Sequence, residues 1–97
     1  MPIPPLLTDP EIAAGLPPGW AVEHGQLHRS YVFKDFVGAF GFMSGAALMA
    51  QRMDHHPDWS NVYNRVTIAL STHESGGITH RDLALAVAME DLARRLA

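Results

Sequence analysis

The sequence predicts an α+β fold in which a four-stranded antiparallel sheet is covered on one face by helices, in the order α-β-β-α-β-β-α. Three observations lead there. Apolar residues recur at helical spacing from Phe36 to Met53. Two stretches, Gln26 to Phe33 and Trp59 to Thr72, are rich in β-branched and aromatic residues with partial alternation. The connections between these segments are short, which suits antiparallel neighbours with helices laid over them.

Along the chain, the proline-rich opening (residues 1–7) reads as an extended lead-in. Thr8-Asp9-Pro10-Glu11 then has the form of a helix start. Thr8 can cap, Glu11 sits three residues on as in a capping box, and Pro10 falls where a missing N–H costs nothing. Gly15 and Pro17-Pro18-Gly19 end that helix after two turns. Trp20 to Val22 and Gln26 to Phe33 read as two strands about a turn at His24-Gly25, the second with Leu27, Arg29, Tyr31 and Phe33 on one face. In the central helix, Phe36, Phe40, Met43, Ala47 and Ala50 form the expected buried stripe. Gly38, Gly41 and Gly45 each cost roughly 1 kcal/mol there relative to alanine, a cost that close approach to the sheet would offset. Trp59 to Thr72 fits two strands turning near Tyr63-Asn64-Arg65 or one long bent strand, with Val62, Val66, Ile68 and Leu70 sharing one parity. Gly76-Gly77 marks a loop. Thr79-His80-Arg81-Asp82 opens a last helix with Leu83 and Val87 on an apolar face and Glu90-Asp91 and Arg94-Arg95 on a charged one. A sheet covered on only one face suggests burial of the other against a second subunit.

With 97 residues the chain fits one domain, 1–97, and one modest core. A hydrophobic fraction of 47% and a charged fraction of 18% belong to a globular protein. The net charge of −3 argues against nucleic acid, because no surplus of cations exists to neutralise phosphates. The longest apolar stretch, Phe36 to Ala50, is too short and too interrupted to span a bilayer. The opening Met1-Pro2-Ile3-Pro4-Pro5 lacks the basic start and apolar core of a signal peptide. Without cysteine there is neither a disulfide framework nor a thiolate site. A soluble cytoplasmic protein is the expectation.

Six histidines are the main chemical resource, and three fall where elements end. His55 and His56 follow the central helix just before Pro57, which disfavours helical backbone at His56 and turns it extended. His73 lies at the end of the last strand, beside the glycine-bearing loop, a common place for functional groups. Histidine titrates near neutral pH and suits an elimination of water, in which one group takes a proton and another gives one to the leaving hydroxyl. Trp20, Trp59 and Tyr63 offer flat surfaces for a ring, and Asp82 can accept hydrogen bonds. On spacing alone other readings stand beside these. The two adjacent histidines also fit polar loop residues, the tryptophans also fit core positions, and Asp82, three after Thr79, also fits a helix cap. His24, His28 and His80 read as solvated. The ligand types of a metal site are present in His55, His56, His73 and Asp82. Yet consecutive residues rarely turn both rings to one ion and no helical i, i+4 histidine pair exists, so no metal is expected.

The run Asp54-His55-His56-Pro57-Asp58-Trp59-Ser60-Asn61-Val62-Tyr63-Asn64-Arg65-Val66, then Leu70-Ser71-Thr72-His73-Glu74 and Gly77-Ile78-Thr79-His80-Arg81-Asp82, resembles the pterin-4a-carbinolamine dehydratase family. The signature is His-His-Pro, an aromatic residue soon after, a Thr-His pair at a strand end and Arg-Asp opening the last helix. The likeness extends through Gly19-Trp20 and the Leu27-Arg29-Phe33 strand. It implies the same fold, homodimers or homotetramers, and loss of water from a 4a-hydroxytetrahydropterin to give the quinonoid dihydropterin, without cofactor or metal. That reaction recycles the pterin used by an aromatic amino acid hydroxylase. The resemblance places His55, His56 and His73 in the active site, with His55 and His73 as the acid–base pair and His56 orienting the substrate. It gives Asp82, Arg81, Trp20, Pro57 and Thr72 substrate-binding positions.

One position departs from the family pattern. Gln51 stands where many members carry a glutamate, and glutamine cannot ionise. Activity with a lower or shifted pH optimum is the expectation. Two other functions are compatible with the resemblance: a protein-binding module of dimerisation-cofactor type, and a dehydratase-like protein acting on another pterin.

Overall fold

The structure is a computed structural model that describes residues 3–96. Of the lead-in, residues 3–7 have no regular secondary structure, and Met1 and Pro2 lie outside the described residues. The elements are α1 (Asp9–Gly15), β1 (Ala21–Glu23), β2 (Gln26–Val32), α2 (Phe36–Met53), β3 (Asp58–Val62), β4 (Arg65–Leu70) and α3 (His80–Leu96), with a short 3-10 turn at His73–Ser75. The predicted order is thus observed. The capping box at Thr8 is formed on both sides, since Glu11 N donates to Thr8 Oγ1 and Thr8 N to Glu11 Oε1. Trp59 to Thr72 resolves into two strands, with the chain reversing at Tyr63-Asn64 between the Val62–Arg65 pair.

The sheet runs β1-β2-β4-β3, antiparallel throughout. Its register explains its two faces, because side chains alternate along a strand and line up across it. One face carries the rows Leu27–Leu70, Arg29–Ile68–Trp59 and Tyr31–Val66–Asn61. Leu27, Tyr31, Val66, Ile68 and Leu70 are buried there, under Phe42 and Ala46 of α2 and Leu85 and Met89 of α3. The opposite face carries His28–Ala69–Asp58, Ser30–Thr67–Ser60 and Val32–Arg65–Val62. Small, hydroxyl and charged residues predominate on it, with Val32 and Val62 exposed at one end.

Three sequence readings of the helices are corrected. The buried stripe of α2 is Ala39, Phe42, Ala46 and Ala50, whereas Phe36 and Phe40 are 48% and 57% exposed and Ala47 is also exposed. The helix is apolar nearly all round, so spacing alone did not select its inner face. Gly45 approaches α3 rather than the sheet: a Cβ there would lie 2.9 Å from Leu92 Cδ2. In α3 the buried positions are Leu85, Ala86, Met89 and Ala93, while Val87 faces outward and Glu90, assigned to the charged face, is buried.

Glu90 is buried because its carboxylate is fully used. Oε1 accepts from Tyr31 Oη at 2.5 Å and Trp20 Nε1 at 3.1 Å, Oε2 accepts from Arg94 Nε at 3.3 Å, and Arg29 Nε stands 3.6 Å from Oε1. The network ties α3 to β2 and to the residue preceding β1. Burial pushes the Glu90 carboxyl up, but the bonds from Tyr31 and Trp20 and the two arginines together hold it below its ordinary value. Burial and the same carboxylate push the Tyr31 hydroxyl well above its ordinary range. Glu90 therefore stabilises the fold above the ordinary value of 4.5, and this contribution fades as pH falls through the lower folded value. In thermal unfolding from about pH 3 to about pH 7, the Tm gap between wild type and Glu90→Gln should be widest at neutral pH and narrow in acid. A gap independent of pH would contradict it.

Candidate active site

Three element boundaries at one end of the sheet place His55, Thr72, His73 and Asp82, while Trp20 lies elsewhere. The first is the end of α2. Asp54 adopts a left-handed conformation (φ 51°), Asp54 N donates to Gln51 O at 3.1 Å, and His55 N donates to Ala50 O at 3.0 Å. This is the paired-bond pattern that commonly closes a helix over a left-handed residue. It turns the chain immediately after Met53, so the helix ends before Pro57 exerts any effect. His55 consequently points inward and is buried, and His56 remains exposed.

The second boundary is the end of β4. Thr72 N donates to Gly77 O at 2.7 Å, and Thr72 O accepts from Ser75 N and Gly76 N. A small closed loop results, with Thr72 buried at its base and His73 exposed on its 3-10 turn. His73 thus follows the strand rather than ending it. The third boundary is the start of α3, where Thr79 N donates to Asp82 Oδ2 at 2.8 Å and Arg81 N to Thr79 Oγ1 at 3.2 Å.

Asp82 joins the three. Its side chain is fully buried. Oδ1 accepts from His55 Nε2 at 2.5 Å, and Oδ2 accepts from Thr72 Oγ1 at 2.9 Å as well as from Thr79 N. Thr72 and Thr79 share a further hydroxyl bond of 2.6 Å. The cap and the site, open alternatives on spacing, are one carboxylate. Because an ionised carboxylate only accepts, His55 must present Nε2–H to it, which leaves Nδ1 as the ring atom that can exchange a proton.

The other predicted residues are placed around this centre. His56 Nε2 lies 2.9 Å from Gln51 Oε1, so the ring donates to the glutamine that departs from the family pattern. Pro57 is half-buried between His56 and β3. Arg81 Nη1 stands 3.6 Å from Glu74 Oε1, an exposed pair beside His73 of little energetic weight. Trp20 is buried and its indole N–H is committed to Tyr31 and Glu90, so within one chain it belongs to the network on α3. Among the described residues, no group of three His, Asp or Glu side chains is gathered closely enough to hold a metal ion.

A hollow of about 190 Å³ opens beside His73, lined by His24, Gln26, Ser71, Thr72 and the Gly76-Gly77 loop. Gln26 Nε2 donates to Ser71 Oγ at 3.3 Å, which fixes the β1–β2 turn against the end of β4. Sequence reasoning set His24 aside and did not single out Gln26 or Ser71. The pairing of β2 with β4 places them here, and that pairing carries no local signal. A roomier hollow of about 370 Å³, lined by Arg29, Tyr31, Lys34 and Arg94, holds none of the predicted site residues.

The His56–Gln51 contact makes the glutamine testable. In Gln51→Glu, a carboxylate facing His56 would hold its imidazolium to higher pH, so the pH–rate profile of the variant should move upward relative to wild type. Superimposable profiles would show that this position does not tune the site.

Comparison with known proteins agrees with the fold. The sequence profile of the family described as pterin 4 alpha carbinolamine dehydratase matches residues 5–92. A protein from Solibacter usitatus, provisionally named a pterin-4-alpha-carbinolamine dehydratase, is 58% identical over 74 residues, covering 76% of this chain and 78% of its own. One from Rhizorhabdus wittichii with the same provisional name is 52% identical over 91 residues, 90% of this chain and 94% of its own. Among solved structures, one described as a transcriptional coactivator/pterin dehydratase from Brucella melitensis superimposes with a TM-score of 0.85 at 44% identity, over 91% of this chain and 98% of that one. The chain therefore belongs to the pterin 4 alpha carbinolamine dehydratase family.

Proposed function

We propose that the protein dehydrates a 4a-hydroxytetrahydropterin to the quinonoid dihydropterin and water, by histidine general acid–base catalysis. The observation that carries this reading is the buried His55–Asp82 pair, whose carboxylate also accepts from Thr72, the residue immediately before the exposed His73. His55 Nδ1 takes the proton from N5 of the pterin, and Asp82 offsets the charge that forms on the ring. His73 gives a proton to the C4a hydroxyl, which leaves as water while the C4a–N5 double bond forms. Solvent exchange through exposed His73 then restores both histidines. His56, held by Gln51, orients the substrate, and Pro57, Thr72, Arg81 and Asp82 hold the surrounding backbone. Trp20 contributes by fixing the start of β1. In the cell such an activity recycles the pterin consumed by an aromatic amino acid hydroxylase.

The test is a stopped-flow assay with chemically generated 4a-hydroxytetrahydropterin. Wild type should accelerate dehydration, and His55→Ala and His73→Ala should each lose on the order of a hundredfold, the usual weight of a positioned acid or base. No acceleration by wild type, or undiminished rates in both variants, would refute the reading.

We further propose that the chain self-associates through the outer face of α2. Phe36, Val37, Phe40 and Leu48 are between 48% and 77% exposed on this helix. Gly41 lies on the same outer side with nothing within 4 Å of a Cβ added to it, so its helix-weakening cost of about 1 kcal/mol has no compensation within one chain. Against a second copy the same glycine permits close helix–helix contact, and a twofold arrangement would cover both apolar faces at once. Sedimentation should give an oligomer for wild type and a smaller species for Phe40→Asp. A monomeric wild type would reject self-association and leave this face to a different protein, as the coactivator description of the Brucella protein suggests.

A further inference from the structure

The exposure of His73 raises the question of what holds it in place, since its position follows the backbone of a three-residue turn. The base of that loop is closed by Thr72 and Gly77. Its outer part contains Gly76 at φ 79°, a conformation that favours glycine. Besides the local bonds of Ser75 N and Gly76 N to Thr72 O, a side-chain tie on the outer part comes from far away in sequence. Ser75 Oγ donates to the carbonyl of Pro4 at 2.6 Å. Leu7 N donates to Ile78 O at 3.0 Å, just beyond the loop. Between these two bonds Leu6 lies against Gly77, where an added Cβ would come within 3.1 Å of Leu6 Cδ2. The segment is itself anchored. Pro4 is buried, and the capping box at Thr8 fixes the start of α1.

We propose that Ser75 is a positioning residue for His73, and that residues 4–7 form a strap holding the His73 turn against the body of the protein. The proposal rests on the reading of His73 as proton donor. The strap is well made for this, because Pro4-Pro5 restricts the backbone and leaves little conformational freedom to be lost on docking. The Ser75 bond reaches a main-chain carbonyl, so it fixes the turn without depending on the identity of the strap residue. Displacement of a proton-transfer group by an ångström can reduce turnover by up to about a hundredfold, so losing one tie matters more for rate than for folding.

The experiment is the dehydration assay on the full chain. Ser75→Ala should lower kcat about tenfold with KM nearly unchanged. Ser75→Thr, which keeps the hydroxyl, should recover most of the rate. Deleting residues 1–5 should reproduce the Ser75→Ala loss, and combining the two should add nothing, because both remove one tie. Amide hydrogen exchange at Ser75 and Gly76 should quicken in Ser75→Ala, a readout that needs no turnover. His73→Ala, measured alongside, separates two failures. Full activity in His73→Ala overturns the assignment of that histidine. An impaired His73→Ala with wild-type kcat in Ser75→Ala, or additive losses from serine and strap, overturns the positioning role.

Discussion

The buried carboxylate of Asp82 is the constraint on which the site depends. A charge removed from water is tolerated only when its lone pairs are satisfied, and here three element ends contribute to that. The first turn of α3 supplies the carboxylate, the end of β4 supplies Thr72, the residue before α3 supplies its N–H, and the turn after α2 supplies His55. Removing any one partner would leave a buried polar group exposed to an apolar interior. The end of the sheet, the start of one helix and the end of another are therefore fixed relative to each other by the same group that orients the buried histidine.

A second buried carboxylate, Glu90, plays the corresponding part at another position along α3. It gathers Tyr31 and Trp20 with two arginines, and it sets the helix against β2. The two acids lie eight residues apart on α3, about two helical turns, and so project from nearly the same side. Between them pack Leu85, Ala86 and Met89 of the apolar core. The helix is thus located by two polar anchors and an intervening apolar surface. The polar anchors specify its register, which apolar packing alone does less sharply.

Sequence revealed the elements more readily than their partners. The α2 boundaries and the Thr8 cap were legible because helical periodicity and capping residues act locally. The inner face of α2 was not, because Phe36 and Phe40 repeat with the same period as Ala39 and Phe42, and only tertiary packing distinguishes them. Glu90 looked like surface charge for a related reason: its donors Trp20 and Tyr31 are some sixty to seventy residues earlier in the chain. The family resemblance offered the histidines and Asp82 as a set, of which the structure joins His55 to Asp82. Spacing could not show that His55 turns inward, since that follows from the left-handed backbone at Asp54, a residue type only modestly favoured there over others. The tie from Ser75 to Pro4 had no sequence signal at all, because its acceptor is a backbone carbonyl.

The asymmetry between His55 and His73 follows from these placements and bears directly on the proposed chemistry. An elimination needs one ring ready to receive a proton while the other is ready to give one. Two histidines in identical surroundings would titrate together and rarely hold complementary states. Here one ring is buried with a carboxylate that fixes its tautomer, and the other stands on an exposed turn in contact with solvent. In the proposed dehydration the buried ring gains directional precision, and the exposed ring gains access to protons for each cycle. That division requires the buried member to be rigid and the exposed member to be held from outside. The Asp82 hub meets the first requirement, and the chain's own N-terminal segment, drawn across the turn beside His73, is placed to meet the second.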